Sequence, residues 1–283
     1  MDTEIKCEVD GRVATITLDG PAKLNAITQN GIDDLFEALD EVDRNDAVRA
    51  VVVTGAGRAF CAGTDLTNGF ALPTGGDPVT GEGVPADLGA KVVLRIFRMN
   101  KPVIGAINGP AVGFGASVTL PMDMRICSTQ ARFGYVFVRR AIVAESCSSW
   151  FLPRIVGIAN AVEWMMTGRM IEADEALAKG LVHEVVSPED LMARALRKAN
   201  EIAADGAPVS VAMTRRLLWR MLGASHPIVA HRYESRALVA ALALPDVAEA
   251  MAAYKEKRRP GFNASISAHD LASDWWASDD TPL

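Results

Sequence analysis

Residues 100–157 constrain this chain more than any other stretch: NKPVIGAINGPAVGFGASVTLPMDMRICSTQARFGYVFVRRAIVAESCSSWFLPRIVG. An apolar run over 102–107 has the length and composition of a buried strand. The turn signal Asn108-Gly109-Pro110 ends it, and Gly113-Phe114-Gly115 follows. The pattern then predicts a helix over 116–122 and a second short strand over 124–128. A strand, a glycine loop and a helix in this order aim backbone N–H groups and a positive helix end at one point. That arrangement suits an anion or a developing oxyanion. Glycine-rich turns between strand and helix also serve purely structural ends, so both readings stand at this stage.

The flanking chain says what such a unit is built into. Residues 5–9 and 13–18 read as a β-hairpin turning at Asp10-Gly11. Gly20-Pro21 closes it. A helix is predicted over 29–45, with Thr28 as N-cap and Ile32, Leu35, Phe36, Leu39 and Val42 at helical spacing. Residues 48–54 read as a strand buried on both faces, broken by Gly55 and Gly57. After the 58–66 loop comes a long irregular stretch over 67–87, carrying Gly69, Gly75, Gly76, Gly81 and Gly83. It reads as a lid or as disorder. A helix over 88–99 then delivers the chain to the 102–107 strand. This alternation predicts an α/β core with right-handed crossovers. Beyond Phe151 the pattern turns helical, over 159–167, 173–179, 188–204, 208–222, 227–243 and 247–257, with only 182–186 extended. The tail, 261–283, is polar and aperiodic but holds Trp275 and Trp276.

Charge and cysteine usage exclude several function classes. A net charge of −6 argues against nucleic acid as the main partner. Cys7, Cys61, Cys127 and Cys147 have no CxxC spacing, which points to reduced thiols in a cytoplasmic protein rather than to zinc or disulfides. Cys147 has no histidine near it in sequence and reads as a structural thiol. The polar, acidic N-terminus does not look like a secretory signal, and no apolar run reaches the roughly 20 residues of a membrane span.

Four segments, in order and spacing, resemble the crotonase (enoyl-CoA hydratase/isomerase) superfamily over about residues 5–262. They are PAKLNAIT from Pro21, RAFCAGTDL from Arg58, KPVIGAINGPAVGFG from Lys101 with MDMRICSTQARFG after it, and RMIEADEALAKGLVHEVV from Arg169; the C-terminal AYKEKRRPGF also matches. The resemblance implies a crotonase-type spiral of ββα units with a C-terminal helical trimerisation region. It divides the chain into a core over 1–200, an oligomerisation region over 201–262 and a tail over 263–283, assembled as trimers or paired trimers. It implies an acyl-CoA thioester as substrate, coenzyme A being part of that substrate and no further cofactor being needed. It implies that the backbone amides of Thr64 and Phe114 polarise the thioester carbonyl. Such a donor is typically worth on the order of 3 kcal/mol of barrier.

The reaction turns on carboxylates. Family hydratases carry a glutamate two residues after the glycine loop and another after the second short strand; here those positions are Ser117 and Phe137. A third position, carboxylic in several isomerases of the family, is Glu145, and the segment from Ala144 to Trp150 resembles that around the catalytic glutamate of 3,2-enoyl-CoA isomerases. One carboxylate suffices to move a proton from C2 to C4 through a dienolate. Ile142, Val143, Trp150 and Phe151 are expected to give Glu145 an apolar setting that raises its pKa. The plain alternative is a helix-start residue beside an N-cap at Ser146 or Ser148. Ser117 reads either as a polar contact to substrate or water or as a small core residue. For coenzyme A, the resemblance implies contacts from Lys23, from Gly113, and from the backbone of Ala62, Gly63, Asp65 and Leu66. It makes Lys257 and Arg258 candidates for the 3′-phosphate, against the alternative of a basic helix end. Asp65 also reads as a loop cap and Asp123 as structural, while Arg139-Arg140 is either a solvated pair or a contact to substrate or a neighbouring subunit. Three functions remain open: an isomerase using Glu145, another lyase or hydrolase of the family such as a hydratase, and an acyl-CoA binder without chemistry.

Overall fold

The computed structural model describes residues 4–67, 69 and 83–269. Its first half runs β1 (Ile5–Asp10), β2 (Val13–Leu18), α1 (Gln29–Arg44), β3 (Ala50–Gly55), α2 (Leu88–Arg98), β4 (Val103–Ile107), β5 (Ala111–Val112), α3 (Phe114–Ser117), β6 (Met124–Ser128) and β7 (Arg132–Gly134). The second half is mostly helical: α4 (Ser148–Val156), α5 (Ile158–Thr167), β8 (Met170–Glu172), α6 (Ala173–Ala178), β9 (Glu184–Val186), α7 (Leu191–Asp205), α8 (Pro208–Met221), α9 (Pro227–Leu242) and α10 (Pro245–Glu256). Proline opens the last three, where its missing N–H has no helical partner to lose. Most of the expected 67–87 stretch, and Trp275 and Trp276, lie outside the described residues.

The strands form two sheets. One has the order β1-β2-β3-β4-β6-β9 and is parallel after the β1–β2 hairpin; the other has the order β5-β7-β8. Single bridges, Ile27 to Thr64 and Cys61 to Ala111, extend the pattern of the small sheet into the loops after β2 and β3. Each turn therefore supplies one strand to each sheet and then a helix, as the ββα spiral requires. The hairpin pairs Asp10 with Val13, so its turn is Gly11-Arg12 and not Asp10-Gly11; Gly11 takes the positive φ of 55° that this turn needs. The three-residue β8 escaped the sequence reading because a segment so short has no alternation to detect. The start of α4 was expected near Ser146 or Ser148, and the helix begins at Ser148.

Both faces of the large sheet are covered. Val51 and Val53 face α1 and α2 through Leu35, Leu39, Val92 and Ile96, while Ala50, Val52, Ile104 and Ile126 face Ala195, Ala199 and Ala203 of α7. That is why β3 lacks alternation and is buried at all six positions. A smaller cluster of Val209, Met213, Ala237 and Leu244 joins α8, α9 and the start of α10. Phe97 of α2 makes edge contacts with Trp150 and Phe151 of α4 and with Trp219 of α8, at centroid separations of 5.7–6.0 Å. The Arg215 guanidinium completes the junction, donating to Ile96 O, Phe97 O and Met99 O at the end of α2 and to Asp123 Oδ2 at 2.7 Å. Asp123 also accepts from Trp219 Nε1, so its role is the structural one.

The helix expected over 116–122 stops at Ser117. Pro121 disfavours helical geometry at Leu120, and the chain proceeds in tighter turns, with Thr119 N donating to Ala116 O and Met122 N to Thr119 O. The carbonyls this leaves behind are collected by one buried guanidinium: Arg125 Nη1 donates to Thr119 O, Leu120 O and Met122 O, and its Nε to Leu181 O. A four-residue α3 has little dipole to offer, so any anion site here must rest on individual amides.

Asn25 holds the ends of β2 and β3 in place. Its Nδ2 donates to Ala56 O at 2.9 Å, Ala59 O at 2.8 Å and Phe60 O at 3.2 Å, and its Oδ1 accepts from Gly20 N at 2.9 Å. It is buried with φ at +57°, a conformation asparagine tolerates better than most side chains. Asn25→Ala removes this donor from Ala56 O and Phe60 O, leaves Ala59 O with Asn108 alone, and strains the backbone. We expect a loss of about 2–4 kcal/mol in unfolding free energy, read from the urea midpoint at constant m-value.

Candidate active site

The loops after β3 and β4 leave neighbouring parallel strands on the same side, since Val53 pairs with Gly105 and Thr54 with Ala106. Asn108 ties them, its Nδ2 donating to Gly57 O at 2.9 Å and Ala59 O at 3.0 Å. Three glycines permit the closeness. Gly63 has φ at +101°, and a Cβ there would lie 2.9 Å from Val112 O and 3.9 Å from Phe114 N. Gly113 has φ at +56° and ψ at −122°, a combination nearly confined to glycine, and its N–H donates to Gly134 O. A Cβ on Gly115 would overlap Cys61 O. Between the loops, the amides of Thr64 and Phe114 have no protein acceptor among the described residues. Ile27 N and Asp65 N on either side of Thr64 are engaged, with Gly63 O and Ile27 O. Two unclaimed donors on facing loops are what a carbonyl oxygen gaining charge requires.

Glu145 lies just ahead of α4. A Cβ on Gly89 would come 2.8 Å from the Phe114 ring and 3.0 Å from Glu145 Oε2, which places the carboxyl, the ring and the first turn of α2 together. Glu145 Oε2 accepts from Ser146 Oγ, and Ser117 Oγ stands 3.5 Å from Oε1, at the outer limit of a hydrogen bond. Burial, then the charge of Asp87, push its pKa up to about 7. The segment is locked by an unusual backbone: Ser146 and Cys147 have φ at +53° and +54°, and Ser148 N and Oγ both donate to Glu145 O. Cys147, and neither Ser146 nor Ser148, is therefore the N-cap of α4, and no side chain caps it. Val143 is 81% exposed and points away, so the apolar setting comes from Phe114, Ala144, Trp150 and the core behind them. The Cys147 thiol is raised by burial and by Asp87 and Glu145, which keeps it protonated.

The remaining expected residues separate into two places. Lys23 Nζ pairs with Asp65 Oδ2 at 2.7 Å, and Asp65 Oδ1 accepts from Thr67 N. The hydrogen bonds from Lys23 and then Thr67 hold the Asp65 carboxyl well below the usual range. Ala62 and Leu66 lie on the same loop, with Leu66 exposed. Ser117 and Phe137 are both buried; Phe137 opens a short 3-10 turn and joins the main core. Arg139 donates to Thr167 O from an exposed position beside Arg140. Lys257 is elsewhere. It ends α10 in the left-handed conformation, and among the described residues no hydrogen bond or ion pair joins it to the loops of the site; Arg258 is taken up by Glu249 and Glu256. The sequence reading missed Asp87, Gly89, Ser146 and the clamp at Asn25. Asn25 stood inside a quoted motif, but Asp87 is brought to Glu145 from 58 positions away only by the packing of α2 on α4.

Comparison with known proteins identifies the family. Residues 8–265 match the family model for enoyl-CoA hydratase/isomerase. An enoyl-CoA hydratase from Alternaria alternata is 39% identical over 260 residues, covering 92% of this chain and 85% of that protein. A 1,2-epoxyphenylacetyl-CoA isomerase from Escherichia coli is 35% identical over 70% of this chain and 76% of its own length. Among solved structures, a probable enoyl-CoA hydratase/isomerase from Mycobacterium abscessus superposes with a TM-score of 0.83 at 31% identity, covering 94% of this chain and all of that one.

A carboxyl raised by folding makes folding weaker wherever it must ionise. The native state of this chain binds the Glu145 proton more tightly than the unfolded chain does, so the benefit present at acid pH is lost as pH rises from the ordinary glutamate range through about 7. Glu145→Gln has no such loss. Its stability relative to wild type should improve between pH 5 and pH 8, by about 1–3 kcal/mol, in paired urea titrations at the two pH values.

Proposed function

This chain belongs to the enoyl-CoA hydratase/isomerase family, whose members process acyl-CoA thioesters, and from that premise we propose that it moves the double bond of an enoyl-CoA, with Glu145 carrying the proton. The reading rests on Glu145, its pKa pushed up to about 7 and its carboxyl close to the Phe114 ring at Gly89, together with the Thr64 and Phe114 amides, which have no protein acceptor among the described residues. The thioester oxygen of a 3-enoyl-CoA accepts from Thr64 N and Phe114 N. Ionised Glu145 takes a proton from C2, and the C–H electron pair becomes the new C1–C2 bond of a dienolate, with its negative charge on the oxygen between the amides. Glu145, now a carboxylic acid, returns the proton to C4, and the double bond settles between C2 and C3. Atoms and charge balance without water and without a cofactor. A pKa near neutrality suits both halves, since the same group must accept a proton and then give it up.

The positions of the hydratase glutamates hold Ser117 and Phe137, neither of which can activate water as a base. Hydration is the second reading, favoured by one observation: a second carboxyl, Asp87, stands next to Glu145. Lys23 is the cation on the substrate loop, and binding a phosphate there would draw it from Asp65. For Lys257 to serve a coenzyme A, that molecule would have to sit on a neighbouring subunit. We place the trimer contact on α9 and α10, where Leu238, Val239, Leu242 and Met251 are exposed.

Glu145→Gln should lower turnover of a 3-enoyl-CoA by about 10²–10⁴ while leaving KM within a few-fold. Chromatography with mass spectrometry separates the readings. Conversion of 3-enoyl to 2-enoyl product at unchanged mass supports isomerisation, and gain of one water on a 2-enoyl substrate replaces it with hydration. Full turnover in the Gln variant would remove Glu145 from the mechanism.

A further inference from the structure

The carboxyl beside Glu145 belongs to a residue with an evident structural duty. Asp87 is the N-cap of α2: its Oδ1 accepts from Gly89 N at 2.9 Å, one of the amides left open at the start of an 11-residue helix. Its Oδ2 reaches across to a different segment and accepts from the backbone N–H of Ser146. Ser146 in turn donates from its Oγ to Glu145 Oε2. One serine thus bridges two carboxyls, with its amide on Asp87 and its hydroxyl on Glu145. The bridge requires the left-handed backbone seen at Ser146 and Cys147, two consecutive side-chain-bearing residues in a region that ordinarily costs about 1 kcal/mol or more each. An N-cap alone needs none of this, because Gly89 would satisfy Asp87 without a strained partner.

Resting on the reading of Glu145 as the proton carrier, we propose that Asp87 is a positioning residue for it: the two carboxyls form a hydrogen-bonded pair, bridged by Ser146, in which Asp87 accepts and Glu145 holds the exchangeable proton. Both Asp87 oxygens already accept backbone amides, so the proton shared across the pair resides on Glu145. Asp87 acts on Glu145 in two ways, by its charge and by accepting a hydrogen bond from the protonated form, and both favour the proton staying on. The Ser146 hydroxyl acts oppositely, since it donates to the ionised form. The poise of Glu145 is then the balance between an acceptor on α2 and a donor on its own segment, over the background of burial. The other groups facing it are Ser117 from α3, the Phe114 ring and the Cys147 thiol. Asp87 thereby links α2 to the proton that the chemistry uses.

The two arms of the balance predict opposite responses. In full-length protein with glutamate labelled at its carboxyl carbon, the Glu145 resonance is assigned by its loss in Glu145→Gln and titrated by NMR without substrate. Asp87→Asn should lower its midpoint by about one pH unit, and Ser146→Ala should raise it. The acid limb of the kcat/KM profile for a 3-enoyl-CoA should move with each, while KM stays within two-fold. A merely structural loss would lower activity without moving the two midpoints in opposite senses. Should Asp87→Asn fail to fold, Asp87→Ser, which keeps a capping oxygen for Gly89 N while removing the charge, takes its place and should lower the midpoint likewise. A Glu145 midpoint unmoved in the folded variants, or moved in the same direction by both, overturns the proposal. Opposite shifts in a protein that isomerises no enoyl-CoA would leave the carboxyl pair standing and sink the isomerase reading instead. Normal isomerisation with unmoved midpoints would do the reverse.

Discussion

The site exists because two loops that leave adjacent parallel strands are prevented from separating. Asn25 gathers the carbonyls of Ala56, Ala59 and Phe60 on one side, and Asn108 takes Gly57 O and Ala59 O from the other. A loop after a strand ordinarily has freedom to drift, because its backbone groups can turn to water. Here those groups are satisfied by two asparagine side chains, and Ala59 and Phe60 are buried, so drifting would leave several of them unpaired at once. With the loops fixed, glycine at 63 and 115 lets their backbones approach closely, and the Thr64 and Phe114 amides have no protein acceptor among the described residues. Donors built this way need no reorganisation when charge appears, which is the source of their catalytic value.

At Glu145, the chemistry is set by helix packing. The aromatic junction of Phe97, Trp150, Phe151 and Trp219 joins α2, α4 and α8, and Arg215 caps the far end of α2 in the same region. That junction fixes where the near end of α2 falls relative to Glu145. Gly89 allows the approach, and Asp87 and Ser146 convert it into a hydrogen-bonded contact. The raised pKa of Glu145 is therefore a consequence of tertiary packing, and it costs stability where the group must ionise. Few cores keep a carboxyl half-buried against a second one unless something is gained from the proton they share.

The α/β alternation, the two-sided burial of β3, Thr28 as the cap of α1 and the proline-started helices were all legible in the sequence, because each depends on residues within one element. The glycine loop was legible as well, and the likeness of the segment from Ala144 to Trp150 drew attention to Glu145. The expected helix over 116–122 was not, since Pro121 and the distant Arg125 together favour tight turns over helix. Nor was the true cap of α4, because a left-handed cysteine after a left-handed serine is a conformation no propensity suggests and only external contacts sustain.

Sequence alone thus determined the elements, their order and the residue types available for catalysis. It could do so because periodicity, caps and glycine positions act over a few residues. Tertiary structure decided which of those residues meet: Asp87 from the start of α2, Ser146 from ahead of α4, and two amides from separate loops. It also moved Val143 out of the site and left Lys257 apart from it. The physical reason is that a proton's affinity depends on burial and on charges within a few ångström. Those neighbours are assembled by packing between elements far apart in the chain, a relation that no local pattern encodes.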